Sequence, residues 1–151
     1  MAELVRYAPE HARGFRELVA ETLREFGFSE DPALDTDLLE PERAYDAVWI
    51  VLDGGRVAGS AAARELEGGV VELKRMYLAA RLRGRGLGRA LLERVVEWAR
   101  LRGARRIVLD TGDRMAAAQH LYEAAGFRRT GERWEEGAAE RRHELLYALD
   151  L

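Results

Sequence analysis

The sequence predicts one mixed α/β domain, in which a central sheet carries helices on both faces. A length of 151 residues with 48% apolar content is enough for one core but not for two. Strand-like apolar runs alternate with segments whose apolar residues recur at helical spacing. Their order is β-α-(α)-β-β-β-α-β-α-β-β, with no internal repeat or linker between them, so we expect a single domain over residues 1–151.

The first elements are a short strand and an amphipathic helix. Residues 3–7 are strand-like, and Gly27 ends the helix that follows. The apolar face of this helix consists of Phe15, Leu18, Val19, Thr22, Leu23 and Phe26. Residues 29–42 are acidic and interrupted by prolines, which predicts a loop with at most a short helix ending near Tyr45.

Three strand-like runs come next, at residues 48–52, 56–64 and 70–78. The first two flank the tight-turn sequence Asp-Gly-Gly at 53–55, where glycine tolerates positive φ. The glycines at 68–69 then turn the chain into the third run. This spacing predicts an antiparallel meander.

The apolar period changes after the meander. Residues 87–99 have helical spacing, 106–110 form a short buried-type strand, and 115–125 are an alanine-rich helix. Residues 127–134 and 143–149 close the chain as two further strands. The second half therefore supplies the helices and strands that complete the sheet.

The composition argues against several classes of function. The chain has no cysteine and its three histidines are not spaced as a metal cluster, so we expect no metal. A formal net charge of −3 gives no general attraction to nucleic acid. The longest apolar run, 47–52, is far short of the ~20 residues that cross a bilayer, and the N-terminus lacks the features of a secretion signal. We therefore expect a cytoplasmic protein without membrane contact.

Residues 81–88, Arg-Leu-Arg-Gly-Arg-Gly-Leu-Gly, lie between a predicted strand and a predicted helix. Glycines at alternate positions let the backbone approach a ligand, and free N–H groups at a helix start face an anion. The arginines at 81, 83 and 85 add positive charge to the same loop. A Walker loop would need Gly-Lys-Ser/Thr, and a dinucleotide fingerprint a third glycine where Arg89 stands. The stretch predicts a pyrophosphate-binding loop, with a plain glycine-rich helix start as the alternative.

The sequence resembles the GNAT superfamily of N-acetyltransferases. Residues 81–86 match its signature Gln/Arg-x-x-Gly-x-Gly/Ala at every specified position. Residues 72–78 look like its fourth strand and residues 121–127 like its second conserved block, in family order. The resemblance covers about residues 48–130 and implies a GNAT-like, mostly antiparallel central sheet of six to seven strands.

The resemblance further implies that acetyl-CoA is a co-substrate, whose acetyl group passes directly to a primary amine in a ternary complex. The implied acetyl-CoA contacts are Met76, Tyr77, Leu78, Arg81, Arg83, Gly84, Arg85, Gly86, Leu87, Gly88, Arg89 and Ala118. The main chain at Met76 and Leu78 would meet the acetyl carbonyl and the pantetheine arm. One position departs from the family, since Met115 stands where many members carry a cofactor-binding Asn.

Acetyl transfer to an amine needs a proton acceptor, donors for the oxyanion and a proton donor for the thiolate. By the resemblance, Tyr122 is the proton donor; a tyrosine that merely packs its ring is the alternative. For the proton acceptor, Glu72, His143 and a water chain are candidates. Strand alternation places Glu72 on one face with Met76 and Leu78, which favours it as an active-site residue.

Other interpretations remain open on the acceptor side. Glu72 could instead form a surface ion pair with Lys74. The acidic segment 30–46 is either a solvated loop or a surface that attracts a cationic amine. Trp49 and Trp134 either line the acceptor cleft or fill the core. For the whole protein, the alternatives to an enzyme are a non-catalytic acyl-CoA sensor or interaction module and a binder of another phosphate ligand. A homodimer through the C-terminal strands is implied by resemblance alone.

Overall fold

The computed structural model describes residues 1–151 and contains one seven-stranded sheet. Its strands are β1 (Ala2–Arg6), β2 (Ala47–Asp53), β3 (Arg56–Leu66), β4 (Val70–Leu78), β5 (Arg106–Gly112), β6 (Arg128–Glu136) and β7 (Arg141–Asp150). Their order across the sheet is β1-β2-β3-β4-β5-β7-β6. Only β4 and β5 run parallel, and all other neighbours are antiparallel. The expected mixed, mostly antiparallel sheet is confirmed.

Four α-helices cover the two faces of the sheet. They are α1 (Ala12–Glu25), α2 (Pro41–Ala44), α3 (Leu87–Leu101) and α4 (Ala116–Ala124). On the α1 face, the buried side of α1 packs with Ile50 and Ala62. On the α3 face, Leu91 of α3 and Tyr122 of α4 join a larger cluster that contains Leu73. Helices on both faces are therefore confirmed, and the loop after α1 holds only a 3₁₀ turn at Thr36–Leu38 before α2.

A bulge interrupts β4 near its end. The β3–β4 pairing places Lys74 opposite Ala62 and then Tyr77 opposite Ser60. Residues 75–76 of β4 thus occupy the space of a single residue of β3. Such an insertion bends the strand and reverses its alternation beyond that point.

Arg75 holds the bulge in place. It is the one non-glycine residue with a positive φ, 52°, a backbone conformation that costs about 1–3 kcal/mol. Its buried guanidinium donates hydrogen bonds to Asp35 at 2.9 Å and to Asp37 at 2.7 Å. Its carbonyl accepts a hydrogen bond from Oγ of Ser60 at 2.7 Å. These contacts offset the strain and attach the loop after α1 to the bulge.

The bulge changes which side chains of β4 share a face. Leu73 before it, Met76 within it and Leu78 after it all pack with the cluster on the α3 face. Glu72 belongs to the opposite face from Leu73, because neighbouring residues of a strand alternate. The prediction that Glu72 shares a face with Met76 and Leu78 is therefore wrong.

The strands β4 and β5 separate at the level of the bulge. Their pairing runs from Val70 opposite Arg106 to Leu73 opposite Leu109, and no further. Beyond that point β4 pairs only with β3, and β5 pairs only with β7. A gap opens between residues 74–78 and the end of β5, and this gap positions the site.

Candidate active site

Two pockets adjoin at the gap between β4 and β5. The loop pocket is lined by residues that include Phe26, Leu78, Gly84, Gly86, Ala118 and Leu121. The strand pocket is lined by residues that include Lys74, Asp110, Tyr122, Glu135, Arg142 and Glu144. Met76, Tyr77 and Met115 line both pockets, so the two meet where the strands diverge.

The glycine-rich loop presents a run of unpaired backbone donors. The N–H groups of residues 84–89 donate to no protein acceptor, and the first bonded N–H is that of Ala90. Gly84 and Gly86 have φ values of +80° and +79°, and a Cβ added to either would meet no atom within 4 Å. Uncovered N–H groups at a helix N-terminus form an anion site. The loop therefore has the properties that a pyrophosphate group requires.

The arginines of this loop contribute less free charge than predicted. Nη2 of Arg81 lies 3.2 Å from Oδ2 of Asp53, and Nη2 of Arg83 lies 2.9 Å from Oε1 of Glu25. Of the three arginines expected to add charge, only Arg85 has no acidic partner. The attraction for an anion rests mainly on the backbone donors.

Apolar side chains from three parts of the chain line the loop pocket. Phe26 follows α1, Leu78 ends β4, and Ala118 and Leu121 belong to α4. The pocket holds about 290 Å³, close to the lower end for small-molecule sites. Met115 lies where the pocket reaches the gap, and a thioether there lacks the donor of the family's Asn. The pocket thus joins the backbone donors to the gap by an apolar passage.

Tyr122 lies at the gap with a free hydroxyl. Its ring packs against Phe127 and Tyr147, with centroids 5.7 Å and 6.2 Å away, and only 3% of the residue is exposed. No protein group forms a hydrogen bond with its hydroxyl, although the residue lines the strand pocket. Burial raises the pKa of Tyr122 well above its ordinary value, and nearby Tyr77 and Asp110 raise it further. The phenol therefore stays protonated at neutral pH and can act as a proton donor.

Glu72 lies outside both pockets. Its Oε1 accepts a hydrogen bond from Nε of Arg64 at 2.6 Å. Lys74, the partner expected from the sequence, is instead 4.0 Å from Oδ2 of Asp110. A catalytic role for Glu72 stays a prediction that the geometry does not support, and the Glu72–Lys74 ion pair is wrong.

The acidic segment after α1 is folded onto the protein by its carboxylates. Asp31 accepts hydrogen bonds from the N–H groups of Ala138 and Ala139, both at 3.0 Å. These two bonds hold the pKa of Asp31 well below its usual range. Asp35 accepts two hydrogen bonds from Arg142, each at 3.0 Å. The solvated-loop interpretation is therefore wrong for Asp31 and Asp35, and Asp35 holds Arg142, which lines the strand pocket.

Three carboxylates line the strand pocket, and one of them is unpaired. Arg133 bonds to Asp110 and, at 2.8 Å, to Glu135. Glu144 forms neither a hydrogen bond nor an ion pair. Burial raises the pKa of Glu144 to about 7, and repulsion from Asp110 and Glu135 contributes to this. A carboxyl group with such a pKa can take up and release a proton near neutral pH.

Glu144 belongs to no sequence motif; its one signal is a charged residue directly before the apolar run of β7. Its neighbour His143 lines neither pocket, because Nδ1 lies 3.0 Å from Oδ2 of Asp113 and the ring stacks on Trp134. Trp134 is 54% exposed, whereas Trp49 is 3% exposed and packs in the core. Neither tryptophan lines the two pockets.

No three or more His, Cys, Asp or Glu side chains are grouped so as to hold a metal ion. Among the helices, none combines the length and the apolar character that crossing a membrane requires.

Comparison with known proteins identifies the fold and the family. The model of the acetyltransferase (GNAT) family matches residues 12–127. N-acetylaspartate synthetase from Danio rerio is 40% identical over 108 residues, which are 68% of this chain and 38% of that protein. The chain thus spans well under half of that relative's length.

Two solved structures share the fold along the whole chain. An acetyltransferase of the GNAT family from Staphylococcus aureus Mu50 superposes with a TM-score of 0.88 at 19% identity, covering 100% of this chain and 99% of that one. An acetyltransferase from Salmonella typhimurium, determined with its cofactor acetyl-CoA, superposes with a TM-score of 0.75 at 21% identity, covering 100% and 94%. With the family model matching most of its length, the chain belongs to the acetyltransferase (GNAT) family.

Proposed function

We propose that this protein is an acyltransferase, which transfers the acetyl group of acetyl-CoA to a primary amine of a small molecule or a protein. One observation carries the proposal: the unpaired N–H groups of residues 84–89 lead, through an apolar pocket, to the gap that holds the free hydroxyl of Tyr122. The family membership supports it. Residues 1–151 act as one domain in this proposal.

The loop pocket is the proposed acetyl-CoA site. Acetyl-CoA supplies an acyl group that is activated as a thioester. The N–H groups of residues 84–89 bind its pyrophosphate, and Met76, Tyr77 and Leu78 bind the pantetheine arm along the edge of β4 that β5 leaves free. Ala118 forms the opposite wall. The side chains that flank the phosphate loop are Arg81, Arg83, Arg85, Leu87 and Arg89.

Tyr122 is the proposed donor of a proton to the departing thiolate. Its raised pKa keeps the proton available, and its hydroxyl has no competing partner in the protein. A non-catalytic acyl-CoA sensor would need the phosphate loop but would not need a buried phenol facing the second pocket. The proposal therefore favours an enzyme that binds both substrates at once.

The strand pocket is the proposed entrance for the amine. The Danio rerio relative is named for N-acetylaspartate, so aspartate is one acceptor to test. Lys74 favours an acceptor with a carboxylate, because no carboxylate oxygen of the protein lies closer than 4.0 Å to its amino group. An amino acid is therefore our second, narrower candidate for the acceptor class.

We also propose a cytoplasmic location and a homodimer. The support for the dimer is that β6 is an edge strand of the sheet and carries the exposed Trp134. Analytical ultracentrifugation of the parent and of Trp134→Ser would test it, and a monomeric parent at micromolar concentration would contradict it.

The activity is tested by measuring release of free CoA thiol from acetyl-CoA with a panel of amines. The panel contains L-aspartate, other amino acids, polyamines, aminoglycosides and basic peptides, and mass spectrometry identifies any acetylated product. We expect a product with at least one amine. Tight binding of CoA without turnover of any amine would instead support a sensor, and absence of CoA binding would contradict both.

A further inference from the structure

Glu144 differs from every other carboxylate near the gap. Glu72 is bonded to Arg64, while Asp110 and Glu135 share Arg133. Each of those carboxylates therefore has an arginine as a hydrogen-bonding partner. Glu144 has no such partner, although it is half-buried in the same pocket.

The strand register explains why the carboxylate of Glu144 is uncovered. Glu144 lies directly opposite Gly112 in the β5–β7 pairing, so the neighbouring strand offers no side chain at that position. On its other side Glu144 lies opposite Arg133, whose guanidinium reaches Asp110 and Glu135 instead. The carboxylate therefore borders an open space at the end of β5, where the strands have separated.

Burial, followed by repulsion from Asp110 and Glu135, raises the pKa of Glu144, whereas Lys74 and Arg142 oppose the shift. The charged groups that face Glu144 are Lys74 and Arg75 from β4, Asp110 from β5, Arg133 and Glu135 from β6, and Arg142 from β7. Arg75 and Arg142 are bonded to Asp35, and Arg133 is bonded to two carboxylates, so their positive charges are largely balanced. The phenols of Tyr77 and Tyr122 line the same pocket, and burial raises the pKa of Tyr122.

We propose that Glu144 is the proton acceptor for the amine substrate, an inference that rests on the proposed acetyl transfer. Glu144 and Tyr122 line the same pocket, so an amine that enters it lies near both side chains. A carboxylate without a cationic partner is a stronger base than one that is ion-paired. Among the carboxylates of the pocket, Glu144 is therefore the best placed to deprotonate an ammonium group.

An ammonium group loses two protons when it becomes an amide. Glu144 takes the first and passes it to solvent, which frees the nitrogen lone pair to form the C–N bond as the C–S bond breaks. Tyr122 gives its proton to the leaving thiolate and regains the second proton from the nitrogen. The net products are an acetylated amine, CoA with a free thiol and one proton.

The test compares Glu144→Gln with Glu136→Gln, the same substitution at an exposed site on β6. The rate kcat/KM is measured against pH, with the amine of the panel that the parent acetylates fastest. In the parent we expect an acidic limb near neutral pH. In Glu144→Gln this limb disappears and kcat/KM at pH 7 falls by about 10²-fold, while the affinity for CoA stays within twofold. Glu136→Gln keeps the parental profile.

A third variant separates Glu144 from its neighbour. Asp110→Asn removes a negative charge that faces Glu144, so the acidic limb should move to lower pH and remain present. Loss of the limb in Asp110→Asn with retention in Glu144→Gln would assign the proton to Asp110. Loss of the acidic limb in Glu72→Gln, with its retention in Glu144→Gln, would assign the proton to Glu72 and overturn the proposal.

A direct titration tests the proposed role of Glu144 even if no amine of the panel is acetylated. Carboxyl resonances of ¹³C-glutamate-labelled protein with CoA bound are followed by NMR from pH 4 to pH 9. One resonance that titrates near neutral pH and is missing in Glu144→Gln supports the proposal. Its absence from the parent overturns the proposal, whereas failure of the acetylation panel alone contradicts only the proposed function.

Discussion

Arg142 donates two hydrogen bonds to the carboxylate of Asp35, each 3.0 Å long, and thereby ties the last strand to the loop after α1. Asp35 also accepts a 2.9 Å hydrogen bond from Arg75 at the bulge of β4. One buried carboxylate thus connects the bulge, the loop and β7. Each of these three parts contributes residues to the lining of the strand pocket.

The first prediction concerns the buried cluster that Asp35 forms with Arg75 and Arg142. Asp35→Asn leaves two buried guanidinium groups without their shared anion, so we expect the free energy of unfolding to fall by about 3–5 kcal/mol. The control is Asp150→Asn, which also contacts two arginines but is exposed, and should cost no more than about 1 kcal/mol. Urea unfolding measures both. Equal losses of unfolding free energy in the two variants would mean that burial of the Asp35 cluster adds nothing to its effect on stability.

The same cluster should lose its stabilising effect in acid. Burial alone would raise the pKa of Asp35, but hydrogen bonds from Arg142 and Arg75 outweigh it and hold the pKa below its usual value. The contribution of Asp35 to stability is therefore complete above the unfolded pKa, near ~3.9, and is lost as pH falls through the lower folded pKa. The difference in free energy of unfolding between the parent and Asp35→Asn should therefore decrease below pH 4.

The second prediction concerns the phosphate loop. Gly86→Val places a branched side chain at a φ of +79°, in front of the N–H groups proposed to bind pyrophosphate, so CoA should no longer raise the melting temperature. Gly103→Val is the matched control, because Gly103 has a φ of +75°, equally open surroundings and a position at the other end of α3. We expect similar losses of stability from the two variants but loss of CoA binding only in the first. A parental CoA affinity in Gly86→Val would contradict the assignment.

The third prediction concerns Tyr122. Its hydroxyl has no protein partner, so Tyr122→Phe should leave the melting temperature and the CoA affinity nearly unchanged. Turnover should slow by roughly 10²-fold, because the thiolate would lose its proposed proton donor. The defect should shrink with acyl thioesters whose thiol is more acidic. Equal slowing with every leaving group would indicate altered packing instead.

The fourth prediction is a stability measurement on Glu144. Its pKa is about 7 in the folded protein, against an ordinary value of 4.5. Between these values the folded state binds more protons than the unfolded state, so the free energy of unfolding falls as pH rises through that interval. Glu144→Gln cannot ionise and avoids this loss, so at pH 8 it should exceed the parent by up to about 3 kcal/mol. At pH 4 this difference should vanish. An equal difference in free energy of unfolding between the two proteins at pH 4 and pH 8 would contradict the prediction.

Local patterns in the sequence were sufficient for the elements and for the position of the glycine-rich loop at the start of α3. The glycine spacing at 84–88 depends only on backbone freedom within a few residues, and the change of apolar period near Leu87 depends only on neighbours along the chain. The seven-stranded sheet and its helices on both faces therefore match expectation. For the same reason Tyr122, placed by a contiguous motif, lies at the gap.

Tertiary structure alone decided where the side chains around the gap point. Glu72 has the expected sequence spacing, yet one inserted residue at the bulge reverses the face of everything after Lys74. No local pattern marks that insertion, because it is stabilised by Asp35 and Asp37, which lie about 40 residues away along the chain. Glu144 shows the same limit: its lack of a partner follows from Gly112 lying opposite and from Arg133 bonding elsewhere. Such charge pairing depends on strand register across distant segments, and a sequence read along the chain does not contain it.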